Sequence, residues 1–152
     1  MTNTTSSETT TPRPWARPGP LATALLVSAS AGAAAIHFAM VPAHAEESTA
    51  LAIGFAVVAW RQAAFAVAVL VRPTRGLLLA GAVLNTAAIG VWAWSRLFGM
   101  PFEIGGSGIE PVEAIDALCV ALEATVIGTA LWTTLASASA RDRGPAMVAT
   151  GG

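Results

Sequence analysis

The residues of this chain that could do chemistry are few, and most of them lie inside apolar stretches. Glu113, Asp116 and Glu123 stand in PVEAIDALCVALEATVIGTALW at offsets that a helical period gathers on one stripe. His37 and His44, both of the chain's histidines, lie in or beside an earlier apolar run, and Arg61, Gln62, Asn85 and Arg96 are set into two others. His37, His44 and Asp116, with Glu46 nearby, form a histidine and carboxylate set suited to zinc, iron or copper(II). No H-x-x-H or H-E-x-x-H spacing fixes its geometry. A haem held by two histidines is not expected, because only His37 falls within a span. Nor is nucleophilic catalysis, since there is no G-x-S-x-G and no Ser or Cys with an evident base. The single cysteine, Cys119, can form neither a disulfide nor a thiolate cluster within one chain. The expectation is a protein that is no enzyme and has no cofactor, with a metal ion as the one candidate for that place.

The elements that must position these residues are legible from composition. The 152 residues are 55% hydrophobic and only 11% charged, with a mean hydropathy of +0.64. That balance is far from the usual soluble one. A net charge of -1 gives no footing for nucleic acid, so the lipid bilayer is the expected partner, along with a possible second copy or a larger membrane complex.

Residues 1–20 are Thr, Ser and Pro rich and are expected to form a disordered tail. Four apolar runs follow, at about 21–41, 49–71, 76–97 and 112–135, each long enough to cross a bilayer as a helix. Ala43, His44 and Ala45 resemble a signal cleavage site, but the run before them is about twice the length of a signal core, so the first helix is expected to remain. Pro42 is expected to close it, leaving AHAEES as a polar loop. Arg72, Pro73, Thr74 and Arg75 make a tight basic turn. Gly105, Gly106 and Gly108 have no following lysine, so they belong to a loop and not to a phosphate cradle. Residues 136–152 read as a small-residue tail. The fold class that follows is an all-α membrane protein, a four-helix bundle running up-down-up-down.

Arginines set the orientation. Arg13, Arg17, Arg72, Arg75, Arg141 and Arg143 flank one side, while His44, Glu46, Glu47, Glu103 and Glu110 lie on the other. Both termini are expected in the cytoplasm, with the chain in the plasma (inner) membrane. Arg96 is the exception, at the outer end of the third helix. At about 1.5 Å per residue, His37 lies roughly 7 Å and Asp116 roughly 6 Å inside the outer ends of their helices, level with Arg96. Glu123 falls at roughly 16 Å and Arg61 at roughly 20 Å, near the middle of a core about 30 Å thick. Matched depth predicts a buried Arg61–Glu123 ion pair and a coupled His37–Asp116 pair. Asn85, Trp92 and Arg96 share a stripe suited to holding helices together. Ser30, His37 and His44 would share a face, were it not broken at Pro42.

The runs IHFAMVPAH, WRQAAFAVAVLVRPTR, GAVLNTAAIGVWAWSRLFGMPF and PVEAIDALCVALEA resemble a family of small four-helix integral membrane proteins of high-GC actinobacteria, over about Leu21 to Leu135. The resemblance implies recurring polar positions at His37, His44, Gln62, Asn85, Arg96, Asp116 and Glu123, and it implies no activity. DoxX-like proteins are a more distant likeness, in architecture alone. Two functions fit these residues: a non-enzymatic accessory or envelope protein whose polar layers fix helix register, or an outward-facing site that binds or moves a metal ion, a proton or a small polar ligand.

Overall fold

The computed structural model describes residue 15, residues 17–100, residue 109 and residues 111–142, with side chains up to 139. The tail up to Pro14, the loop with Glu103, Gly105, Gly106, Gly108 and Glu110, and the end of the chain from Arg143 lie outside the described residues. So do the roles expected of Arg13, of the Arg141 side chain and of Arg143.

The chain forms α1 (Pro20–Glu47), α2 (Thr49–Val71), α3 (Arg75–Phe98) and α4 (Ala114–Asp142), with no strand among the described residues. All four are long and apolar enough to cross a membrane. Two helices outrun their expected ends. Proline costs α1 the backbone bond to the Phe38 carbonyl, but the bonds on either side carry the helix through Pro42 to Glu47. Ser48 alone then separates α1 from α2, in extended backbone, with its N–H donated to the His44 carbonyl at 2.8 Å. α4 likewise runs past Leu135 to Asp142.

At the other end, Arg72, Pro73 and Thr74 reverse the chain, and the Thr74 hydroxyl caps α3 by accepting from Leu77 N at 3.1 Å. Short turns make sequential helices antiparallel neighbours. α1 lies between α2 and α4, and α3 between α4 and α2, with no close diagonal approach of backbones among the described residues. The α1–α2 seam is the most extensive and the α2–α3 seam the thinnest. This is an up-down-up-down four-helix bundle.

Its burial pattern is that of a protein dissolved in lipid. Trp60 and Trp132 are 68% and 75% exposed, and Ile53, Val67, Leu70, Val83, Val91 and Leu131 also face out. Inside, Ser30, Gln62 and Asn85 have no exposure at all. In water such an arrangement would waste the hydrophobic effect; in hydrocarbon the apolar faces are satisfied and the polar groups must find one another. The chain is a multi-pass membrane protein. Toward the α2–α3 turn the bundle is closed by Leu26, Ala29, Phe65, Val69, Leu78, Ala82, Val126 and Ala130. Gly81 allows that closure, because a Cβ there would overlap the Phe65 ring. Gln62, Asn85 and Glu123 stack above this plug, and Thr133, Thr134 and Ser137 are buried on its other side.

Candidate functional site

Each helix turns one heptad stripe inward. On α4 the stripe holds Asp116, Cys119, Glu123, Val126 and Ala130, which places the cysteine between the two carboxylates. On α1 it holds Ser30 and His37, and because the helix is continuous through Pro42 it extends to His44. All three face α2: Ser30 Oγ donates to the Gln62 carbonyl at 2.9 Å, and both histidine rings meet Phe55. The face expected to break at the proline is therefore intact.

The deepest layer is built on Gln62. Its Nε2 donates to Glu123 Oε1 at 2.9 Å and to Asn85 Oδ1 at 3.1 Å, and Asn85 Nδ2 donates to the Gly81 carbonyl at 2.8 Å. Glu123 is 2% exposed, and its one side-chain partner among the described residues is this neutral amide. The Gln62 Oε1 atom is buried with no partner. Gln62 also lies beside His37.

One turn further along, His37 Nδ1 is 3.0 Å from the Ala33 carbonyl and 3.6 Å from Cys119 Sγ. The neutral tautomer with its proton on Nδ1 satisfies that carbonyl. His37, Cys119 and Glu123 each offer a ligand atom, all within 4.8 Å of one another. Nitrogen, sulfur and oxygen donors from two facing helices thus converge where a polar amide already holds the carboxylate.

Nearer the α1–α2 turn end lies a different layer. Arg96 Nη2 and Asp116 Oδ2 are 2.8 Å apart, with side chains 15% and 17% exposed. Asp116 Oδ2 also accepts from Glu113 N at 3.1 Å, and Trp92 lies alongside. The expected level of Arg96 with Asp116 is thereby realised as an ion pair between α3 and α4.

The expected His37–Asp116 and Arg61–Glu123 pairings are replaced. Asp116 is engaged by Arg96, and His37 meets Cys119 instead. His44 is kept apart from His37 by the Phe55 ring, on which it stacks with centroids 3.9 Å apart. His37, His44 and Asp116 therefore do not share one centre. Arg61 is exposed on the outside of the bundle, whereas its neighbour Gln62 is buried. Adjacent residues on a helix point about 100° apart, so only one of them can join a stripe set by Ala52, Ala59, Phe65 and Val69.

Sequence reading passed over Cys119 as part of the site. The signal was available: the residue shares the heptad positions that link Asp116 with Glu123. No family model, curated protein or solved structure matches the chain.

Proposed function

We propose that this membrane protein binds a divalent transition-metal ion of the zinc class in the half of the bundle nearer the α1–α2 turn, through His37, Cys119 and Glu123. The observation that carries this reading is the convergence of those three ligand atoms within 4.8 Å around a carboxylate that has no cationic partner among the described residues. A buried carboxylate in hydrocarbon needs a proton or a cation to neutralise it. Mixed N, S and O donors suit zinc, with one position left open for water or a passing ligand. Gln62 then orients Glu123 and the Ala33 carbonyl orients His37, as outer partners do around metal ligands.

The site opens to the outside in this reading. Arg17, Arg72 and Arg75 gather at the end opposite Glu46 and Glu47, which supports cytoplasmic termini by the positive-inside rule. A cysteine introduced at Ser48 then labels in intact cells with an impermeant thiol reagent, in a Cys119→Ser background, and one at Thr74 does not; the reverse pattern inverts the topology.

The test of metal binding uses the full chain purified in mild detergent. Bound metal is counted, and cobalt(II) is exchanged in, since a cobalt–thiolate bond gives an intense near-ultraviolet band. One ion per chain is expected, with the band lost in Cys119→Ser and the ion lost in His37→Ala. A second reading has its own observation, the chain of bonds from Ser30 through Gln62 and Asn85 to Gly81, which would hold helix register in an accessory protein with no ligand. A protein that takes up neither zinc nor cobalt at neutral pH decides for that reading.

A further inference from the structure

Arg61 is an ionisable residue that the bundle leaves outside at mid-span. It is exposed, and among the described residues it has neither a hydrogen-bond nor an ion-pair partner. It also stands near the middle of its span, about 18 Å from Thr49 and about 15 Å from Val71 along the helix axis. Arginines near helix ends reach the head groups by extending along the apolar surface, but from the midplane of a core about 30 Å thick the side chain stops short. A guanidinium facing hydrocarbon there would be costly, so the face that carries it has to be covered.

The surface around it is shaped for a helix. Ala50, Gly54, Val57, Arg61 and Ala64 recur at heptad spacing, and all of them are exposed. A Cβ at Gly54 would meet nothing within 4 Å, so a neighbouring backbone can approach closely there, as at small-residue interfaces in membranes. Trp60 and Val67 flank the stripe with exposed apolar surface.

We propose that this face of α2 docks a transmembrane helix of a partner protein that carries an Asp or Glu at the level of Arg61. Charge selects the occupant. A second copy packed on the same face about a two-fold axis would bring one Arg61 against the other. Nor does a copy offer a carboxylate elsewhere at that depth, because Glu123 is turned inward to Gln62 and Asp116 is engaged by Arg96 among the described residues. A lipid phosphate lies at the wrong level. An acidic side chain on a foreign helix meets the charge, the depth and the narrow surface together, and a bidentate guanidinium–carboxylate contact would fix its register.

The experiment places a photo-reactive amino acid at Ala64 in the full chain, expressed in the cells that normally make it, and identifies the adduct by mass spectrometry. The expected adduct maps to a membrane span of another protein with Asp or Glu near its centre. Its yield falls about tenfold or more in Arg61→Leu and is largely kept in Arg61→Lys. Arg61→Glu combined with an arginine in place of the partner's carboxylate restores it. An adduct with a second copy, an adduct with lipid alone, no adduct, a partner span without a central carboxylate, or a yield indifferent to Arg61 each overturns the proposal. The unsubstituted chain already reports the first four of these outcomes, so a variant that fails to fold does not shield the idea.

Discussion

Two carboxylates on the same stripe of α4 lead opposite lives. Asp116 meets a full positive charge, Arg96 at 2.8 Å, at a level where its side chain is 17% exposed. Glu123, two turns deeper and 2% exposed, meets an amide. The first is balanced by a charge of opposite sign, and the pair clamps α3 to α4. The second is a carboxyl group held in place by a neutral donor, with an imidazole and a thiol alongside, and it is the group on which the proposed metal site rests. In a membrane interior, the kind of partner a carboxylate has therefore separates a structural clamp from a binding site better than its burial does.

The largest expected effect falls on the deeper layer. Glu123→Gln keeps the shape and can still bond Gln62, so the bundle should survive while zinc affinity drops about 100-fold or more, as measured by competition with a chelator in nanodiscs. Unimpaired binding in that variant would remove Glu123 from the site and collapse the contrast with Asp116. In the unsubstituted protein, affinity should weaken as pH falls, because histidine, thiol and carboxyl groups must all give up protons to bind the ion.

Asp116→Asn tests the other side. It should leave zinc binding intact and lower thermal stability in detergent, by up to about 3 kcal/mol, since the largely buried ion pair that joins α3 to α4 is broken. Replacing both residues with apolar ones of similar size should restore much of that loss. If metal affinity fell along with stability, the two layers would be one site.

Gly81→Ala acts on the floor beneath the deeper layer, and should cost about 1–3 kcal/mol by driving a methyl group into the Phe65 ring; Phe65→Leu in the same chain should relieve it. The smallest effect is expected from Ser30→Ala, about 0.6 kcal/mol, the typical worth of a single interhelical hydrogen bond in a membrane. A loss several times larger, read by the same thermal unfolding, would mean that Ser30 sets the position of the whole Gln62 network.

Much of this molecule is written in its composition and periodicity. Four apolar runs separated by short polar turns dictate four antiparallel spans, because hydrocarbon leaves an unpaired backbone no alternative to the helix. Axial depth is also readable, since a helix rises by a fixed step per residue, and that step alone put Arg96 level with Asp116. Azimuth is not readable in the same way. Arg61 and Gln62 share one depth, and in a helix that is apolar almost all round, nothing local says which of them turns inward. The phase of α2 is fixed by packing, with Ala52, Ala59, Phe65 and Val69 seated against the neighbouring helices and Phe65 lying over Gly81. That rotation sends Gln62 to Glu123 and Arg61 to the outside. It took the tertiary structure to bring His37 to Cys119 and Glu123 across the α1–α4 seam, because side chains far apart in sequence meet only once the helices have chosen their faces.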